Sequence, residues 1–404
     1  MTAAAGRLPW FLMLAACWAT FLVTGSGMIR SPFLLEMARD LDASLAATAN
    51  LFSLTALAWG VASLCAGAAS DRLGRLPLLL LAHGLMIAGI AGIALSASYG
   101  GVAAWTVVAG AGGGGHMGVI FAALSDRVHD GQRGRAMGWV ITGQSLAFVA
   151  GLPIATWMGT LMDWRGVMLW VAAADLVAVV ALWRALARPA TAVASPVPPP
   201  PRTGLAGALP RPARLGPHLT HLLAAGVAER VCFGVVAVYF ATLLQLRYGL
   251  DLGALTLPLG LMAAGNLAGN WIGAWIADNL PDRERSFALS SLGTAVLALA
   301  VFGWDPGLAA SVAAGFFYAL VNAIGRPALM AVLGQAPAET RGALLGFNIT
   351  CASVGWITAA AAGGVLIEAY GPGALALPTA AIALLGAWLA ARARRLAPPP
   401  SARA

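Results

Sequence analysis

Twelve long apolar stretches, separated by short polar breaks, constrain this chain more than any other feature. A helix that crosses a bilayer needs roughly 20 predominantly apolar residues. The mean hydropathy is +0.81 and only 10% of the residues are charged, which leaves too little polar surface to cover a soluble globule of this length. We therefore expect an integral membrane protein. The predicted spans, numbered helix 1 to helix 12, are 9–35, 48–70, 77–96, 101–124, 136–160, 166–186, 220–246, 252–277, 286–303, 307–333, 343–367 and 374–391.

A proline-rich connector divides these spans into two groups of six. Residues 188–217 include four consecutive prolines, which cannot continue a helix and favour an extended linker. We predict an all-α membrane protein with one six-helix bundle in residues 1–187 and a second in residues 218–395. Residues 396–404 would form a cytoplasmic tail.

The distribution of arginine predicts the orientation in the membrane. All 24 basic residues are arginine, and cytoplasmic loops carry an excess of positive charge. If the amino terminus is inside, only Arg30, Arg39, Arg165 and Arg247 lie on the opposite side. Both termini and the connector are then cytoplasmic. The alanine, glycine and proline richness suggests a bacterial genome, so we expect a multi-pass protein of the bacterial cytoplasmic (inner) membrane. The sequence pI of about 10.2 reflects this topology rather than nucleic-acid binding.

An internal repeat supports the two-bundle division. A shift of about 207 residues superimposes Asp71, after helix 2, on Asp278, after helix 8. Small residues recur at every fourth position on four helices, where they form a smooth face that lets another backbone approach closely. These stripes are Gly143, Ala147, Gly151, Ala155 and Gly159 on helix 5, Cys351, Gly355, Ala359 and Gly363 on helix 11, Ala58, Ala62, Ala66 and Ser70 on helix 2, and Gly265, Gly269, Gly273 and Ala277 on helix 8.

The loop between helices 2 and 3 has a recognisable motif. Its sequence, Gly67-Ala-Ala-Ser-Asp71-Arg72-Leu73-Gly74-Arg75, resembles the signature loop of the major facilitator superfamily, although Leu76 stands where that family usually has a second basic residue. The resemblance implies two pseudo-symmetric six-helix bundles that work by alternating access, and a gating role for this loop.

The residue chemistry of the loop fits such a role. Gly67 would allow tight packing and Gly74 a turn, while the Asp71 carboxylate can accept hydrogen bonds from arginine. The expected partners of Asp71 are Arg75, Arg133 and Arg135. The alternative is a solvated, positively charged loop without a gating role.

Helix 5 resembles the family's antiporter motif. Gly143 is followed by Gly151-Leu152-Pro153, where Leu152 interrupts the usual Gly-Pro pair, and Asp163-Trp164-Arg165 resembles a Trp-Arg pair common in drug and sugar efflux members. The resemblance implies proton-coupled efflux of a small organic solute by a monomer. Uptake by proton symport and a non-transporting membrane sensor or assembly partner are the alternatives.

The chain lacks the motifs of an enzyme. The glycine run 112–115 has neither the lysine nor the Ser/Thr of a phosphate loop, and no nucleophile elbow occurs. The four cysteines all fall inside apolar stretches and have no metal-binding or redox spacing, so we read them as packing residues. We predict no metal and no cofactor.

Ionisable residues inside the spans are the best candidates for a site, because each costs roughly 2.5 to 3.5 kcal/mol on insertion. Glu229 on helix 7 is our first candidate for proton coupling, followed by Asp175 on helix 6 and His116 on helix 4. A buried carboxylate can exchange protons near neutral pH. Counting residues from the helix centres places Glu229 and Arg326, on helix 10, at similar depth, so the two could pair. The alternatives are a structural ion pair of Glu229 with Arg230 or Arg326, snorkelling or a helix–helix hydrogen bond for Asp175, and a packed neutral imidazole for His116.

Polar residues at comparable depth are candidates for the solute cavity, because carriers of this kind bind substrate near the bilayer midplane. Interhelical hydrogen bonding is the alternative role for the asparagines, and Arg30 could instead reach the outer membrane interface. The candidates are Arg326, Arg230, Asn322, Arg30, Trp59, Gln144, Asn266, Asn270 and Asn348.

Overall fold

The structure is a computed structural model that describes residues 9–128, 132–187, 216–280, 282–335 and 338–396. Within these ranges, twelve helices are long and apolar enough to cross a membrane, and they coincide with the twelve predicted spans. Eight are continuous: helix 2 Leu45–Leu73, helix 3 Arg75–Leu95, helix 4 Tyr99–Ser125, helix 6 Trp164–Leu186, helix 7 Pro217–Tyr248, helix 8 Leu252–Asn279, helix 10 Leu308–Gly334 and helix 11 Ala338–Tyr370.

The other four spans contain a local change of helix type. Helix 1 consists of Trp10–Met28, a 3₁₀ turn Ser31–Phe33 and Leu34–Asp40, and helix 5 consists of Arg133–Leu146, a π-helical turn Ala147–Gly151 and Leu152–Gly159. Helix 9 consists of Arg283–Ala298 followed by a π-helical turn Leu299–Gly303. Helix 12 consists of a 3₁₀ turn Pro372–Leu375 followed by Ala376–Leu396.

Proline explains the irregularity of helices 1 and 5. Pro32 and Pro153 lack the backbone N–H that would bond to the carbonyl four residues earlier, and the altered turns lie at or just before them.

The chain forms two compact units. Unit 1 contains Met1–Arg30 and Leu57–Ala206, and unit 2 contains Ser31–Ala56 and Gly207–Ala404. The last part of helix 1 and the start of helix 2 therefore pack with the second half of the chain. The proposed boundaries of the bundles stay a prediction, and most of the predicted connector and tail lie outside the described residues.

Small residues allow very close helix packing in unit 1. A Cβ atom added to Gly143 on helix 5 would lie 2.2 Å from the carbonyl oxygen of Cys17 on helix 1. On helix 4, a Cβ at Gly112 would lie 2.5 Å from the carbonyl oxygen of Ala82 on helix 3. These contacts leave no room for a side chain, so the glycines set the spacing of helices 1, 3, 4 and 5.

Unit 2 uses the predicted small-residue stripes in the same way. The glycine stripe of helix 8 faces the backbone of helix 10, where a Cβ at Gly269 would lie 2.0 Å from the carbonyl oxygen of Leu320. On helix 11, Gly355 and Gly363 pack against Arg230 and Tyr239 of helix 7. The stripes therefore mark true helix–helix contacts.

The packing role of Gly67 stays a prediction, and a Cβ at Gly118 on helix 4 would lie 3.6 Å from the Gly67 backbone nitrogen. A Cβ at Gly67 would meet no atom within 4 Å among the described residues. Gly74, in contrast, has a φ of 91°, a conformation that glycine adopts without strain, and it makes the turn between helices 2 and 3 as expected.

Candidate functional site

A cluster of three charged side chains lies in unit 2, with one buried carboxylate and two partly buried guanidinium groups. The Arg326 Nη2 atom donates to the Glu229 Oε1 atom at 2.7 Å, and the Arg230 Nε atom lies 3.4 Å from Glu229 Oε2. The Glu229 side chain is 4% exposed. The structure thus contains the pair expected from residue depth, and it adds Arg230 as a second cation on the same carboxylate. Two guanidinium groups and one carboxylate leave one positive charge without a counter-charge within the cluster.

Neighbouring residues hold the three charged side chains in place. Glu229 and Arg230 are neighbours on helix 7, and Gly355 lets helix 11 approach the Cβ of Arg230. Arg326 lies one residue before Pro327, inside helix 10, and its guanidinium carbon is 4.8 Å from the centre of the Phe233 ring. This cation–π contact supplements the ion pair.

Several polar atoms in this unit have no hydrogen-bond partner among the described residues. They include the Nε atom of Arg326, the Oδ1 atom of Asn322 and the Nδ2 atom of Asn266. Asn322 is one turn from Arg326 on helix 10, and both Asn322 and Asn266 are buried. Because buried polar groups are normally satisfied, these donors and acceptors are suited to a polar solute.

A buried hydrogen-bonded chain crosses unit 1. The Nδ1 atom of His83 lies 2.9 Å and 3.0 Å from the two carboxylate oxygens of Asp175. The Nε2 atom of His83 lies 3.0 Å from Nδ1 of His116, whose Nε2 atom lies 3.1 Å from the hydroxyl of Thr20. All four residues are 0% exposed. Four helices, 1, 3, 4 and 6, therefore contribute one side chain each to a continuous polar path.

The glycine run of helix 4 explains why this chain of hydrogen bonds can form. Gly112 and Gly115 lie against Ala82 of helix 3, while Gly113 and Gly114 lie against Trp59 of helix 2. The absence of side chains on both faces brings helix 3 close enough for the two imidazoles to bond. The predicted role of Trp59 as a cavity residue stays a prediction, and the structure shows it packed on these glycines.

The remaining candidates are dispersed over the two units. Arg30 is buried and donates to the Thr106 hydroxyl at 3.1 Å, Gln144 is exposed, and Asn270 donates to the backbone oxygen of Asn266 at 2.9 Å. Asn348 on helix 11 is half-buried near Gly226 of helix 7. Their roles stay predictions.

The loop between helices 2 and 3 forms an ion-pair cluster. Arg75 lies 2.6 Å from Asp71 and 3.0 Å from Asp126, and it also donates to the Ser70 hydroxyl. Asp126, at the end of helix 4, was not expected from the sequence.

The other loop candidates are placed differently. Arg135 lies over the Trp10 ring, 5.4 Å from its centre, and Arg72 and Asp278 are exposed. The side chain of Arg133 lies outside the described part of the structure.

Comparison with known proteins identifies the family. The family model described as Major Facilitator Superfamily matches residues 16–335. The chain belongs to the major facilitator superfamily. As a member of this superfamily it has the family and fold of transporters, and its twelve apolar helices make it a multi-pass membrane protein.

Individual relatives agree with this assignment. The chain is 27% identical over 234 residues to the inner membrane transport protein YdhP of Escherichia coli O157:H7, a match that spans 58% of this chain and 57% of that protein. Among solved structures, a bacterial homolog of the human lysosomal transporter Spinster, in an inward-facing and unoccupied conformation, has a TM-score of 0.83 at 14% identity and covers 97% of this chain and 98% of its own. A D-xylose–proton symporter has a TM-score of 0.77 at 15% identity and covers 95% and 97%.

Two residues of the polar chain in unit 1 of this major facilitator protein were missed by the sequence analysis. His83 lies within predicted helix 3 and could have been found by the argument that selected His116, since it is equally an ionisable residue within a span. Thr20 carries no comparable signal, because an isolated threonine in an apolar helix usually bonds to its own backbone.

Proposed function

We propose that this protein is a secondary active transporter that exports a small organic anion across the cytoplasmic membrane in exchange for protons. The observation that supports the solute class is the charge of the Glu229 cluster. Its uncompensated positive charge is costly in an apolar span, and an anionic group on the solute would neutralise it. Arg326 is the principal candidate for this contact because guanidinium groups bind carboxylates and phosphates through paired hydrogen bonds.

We propose that Glu229 belongs to the solute site rather than to the proton site, because its carboxylate is the counter-charge that two guanidinium groups share. We therefore propose that Glu229 holds Arg326 and Arg230 in place when no solute is bound. Asn322 and Asn266 would supply further hydrogen bonds to the solute.

Export by antiport is supported by the residues of helix 5 that resemble the antiporter motif. Gly143 brings helix 5 against helix 1, and the π-helical turn at Ala147–Gly151 lies immediately before the Leu152-Pro153 pair. Irregular turns of this kind often occur at functional positions.

Uptake by proton symport is the second candidate, and the Glu229–Arg326 ion pair favours it specifically. If a proton did bind Glu229, the 2.7 Å bond to Arg326 would be lost and Arg326 would be free to bind an anion. Proton and anion would then bind together and move in the same direction.

A proteoliposome screen with an imposed pH gradient tests the proposal. The panel would contain drugs, sugars, amino acids and organic acids, loaded inside or added outside. We expect an organic anion to leave loaded vesicles faster when the outside is acidic. Accumulation driven by acid outside would support symport instead, and movement of no anion would contradict the proposed solute class.

Two variants test the site directly. Arg326→Ala should weaken binding of the transported anion by roughly thirtyfold or more, since truncating one member of a buried charge pair costs about 2 kcal/mol or more. Arg285→Ala, an exposed arginine at the start of helix 9, is the matched control. Glu229→Gln separates the two candidates: under export it retains pH-driven transport with tighter anion binding, whereas under symport it abolishes the drive and leaves solute exchange partly intact. Unchanged affinity in Arg326→Ala would remove this residue from the site.

A further inference from the structure

We propose that Asp175, His83, His116 and Thr20 form a binding site for one exchangeable proton inside unit 1, and that this proton drives transport. Only the driving role rests on the proposed function, because proton binding can be measured without any solute. These four side chains are called the proton chain below.

Hydrogen-bond complementarity determines the state without the extra proton. An ionised Asp175 accepts from His83 Nδ1–H, so His83 Nε2 must accept from His116 Nδ1–H, and His116 Nε2 accepts from the Thr20 hydroxyl. Every bond then has one donor and one acceptor, and both imidazoles are neutral. The proton chain holds three exchangeable protons and a net charge of −1.

Addition of one proton reverses every bond of the chain and turns the Thr20 O–H away from His116. Asp175, as a neutral acid, donates to His83 Nδ1; His83 Nε2–H donates to Nδ1 of His116; and His116 Nε2–H donates to the oxygen of Thr20. The proton chain now holds four protons and no net charge. Only O–H and N–H bonds are formed and broken, and no electron is transferred, so the reaction needs nothing except a proton from water.

Burial makes the uptake of this proton favourable. Among the described residues, no arginine pairs with Asp175: Arg165 and Arg184 on helix 6 are ten and nine residues away along the helix, about 14 to 15 Å by helix rise. Arg30 bonds to Thr106, which is ten residues from His116 on helix 4. A fully buried carboxylate without a cation is costly, and the four-proton state removes its charge.

The surroundings of the proton chain contain few other titratable groups. Among the described residues of the four contributing helices, those in unit 1 are Cys17 and Arg30 on helix 1, Arg75 at the start of helix 3, Tyr99 at the start of helix 4, and Arg165 and Arg184 on helix 6. Glu36, Arg39 and Asp40 follow in the part of helix 1 that belongs to unit 2. From helix 2, uncharged Trp59 packs on the glycine run beside His116, and from helix 5, Gly143 packs on helix 1.

Helix 1 extends the polar path beyond Thr20. Thr24 lies one turn further on the same face, is buried, and its hydroxyl has no hydrogen-bond partner among the described residues. We infer that protons enter and leave at the Thr20 end, since this unpartnered hydroxyl continues the path there.

Infrared difference spectroscopy of the full-length protein in lipid nanodiscs tests the site without a solute. As pH is lowered, the wild type should gain the C=O stretching band of a protonated carboxylic acid, and Asp175→Asn should lack it. His116→Gln interrupts the reversal of hydrogen bonds along the proton chain. The pH at which the band appears should therefore shift by about one unit or more, which is a tenfold change in proton affinity. The control His221→Gln, a histidine outside the proton chain, should leave it unchanged. If Asp175→Asn removes no band, the site is refuted.

Transport of the panel anion that the wild type carries fastest tests the driving role. Asp175→Asn should keep anion exchange at equal pH and lose acceleration by a pH gradient; retained acceleration would overturn the driving role. Thr20→Val keeps the shape of threonine, so it tests the entry route even if Asp175→Asn folds poorly, and proton uptake at the wild-type rate would refute that route. If a pH gradient does not change transport by the wild type, but the Asp175 band is present, the proposed function and the driving role are contradicted and the proton-binding site is supported.

Discussion

The contact between the start of helix 2 and the end of helix 11, both in unit 2, predicts a large effect of a single substitution at Gly364. A Cβ at Gly364 would lie 2.8 Å from the Cα of Ala46 and 3.3 Å from the Cβ of Ala49. Beside it, Ala46 N–H donates to Glu368 Oε2 at 3.1 Å. Residues 31–56 therefore dock on helix 11 through a contact that depends on the absence of a side chain.

Gly364→Leu should increase the fraction of molecules in which residues 31–56 are undocked, and the size of this increase can be calculated. Inserting a large side chain into a close contact costs about 1 to 3 kcal/mol. That cost raises the undocked population by about 5-fold to 150-fold. The effect is large because the obstacle includes the backbone of helix 2, which cannot rotate away as a flexible side chain would.

The labelling rate of a buried cysteine measures the undocked population. Ala49 is 0% exposed, so Ala49→Cys, in a chain whose four native cysteines are replaced, reacts with a membrane-impermeant maleimide only when the segment opens. We expect Gly364→Leu to raise this rate by about 5-fold to 150-fold, in proportion to the undocked population. The control Ala362→Leu, on the exposed face of the same helix, should leave it unchanged. A rate for Gly364→Leu within twofold of the parent would refute the reasoning.

Two further predictions concern topology and packing. A cysteine placed in the connector, Thr203→Cys, should react with an impermeant reagent in inside-out vesicles but not in intact cells. The reason is that the arginine distribution predicts a cytoplasmic connector. Labelling of intact cells would contradict this orientation. Gly269→Ala should destabilise the purified protein by about 1 to 3 kcal/mol, because its Cβ would meet the Leu320 carbonyl. In the control Gly25→Ala, the added Cβ meets no described atom within 4 Å, so the thermal midpoint should not fall. Equal midpoints for the two variants would contradict the packing argument.

The sequence predicted the spans and the Glu229–Arg326 pair because both follow from position along single helices. Hydropathy located all twelve spans, and counting residues from helix centres placed Glu229 and Arg326 at the same depth. The partner Arg230 could be inferred only loosely, because whether a neighbouring residue on a helix reaches the same carboxylate depends on rotamers and on the approach of helix 11. Side-chain geometry of this kind is not contained in a one-dimensional pattern.

Features that depend on three or more helices were not predictable. The proton chain needs helices 1, 3, 4 and 6 in one arrangement, and the sequence analysis identified Asp175 and His116 separately without the His83 that links them. Assignment of residues 31–56 to unit 2 is likewise a tertiary result.

The two units share a packing scheme but not their polar residues. Glycine stripes bring helix 5 onto helix 1 and helix 11 onto helix 7, as the repeat predicts. The same shift of 207 residues places Glu229 opposite Leu22 and Asp175 opposite Ile382. Because an apolar residue stands at each corresponding position, neither charged cluster belongs to the common scaffold. The cluster of unit 2 carries a fixed excess of positive charge suited to an anion, whereas the proton chain of unit 1 changes charge by one proton. This asymmetry supports the proposal of separate sites for solute and proton, under which a variant of one should leave binding at the other intact while uncoupling transport.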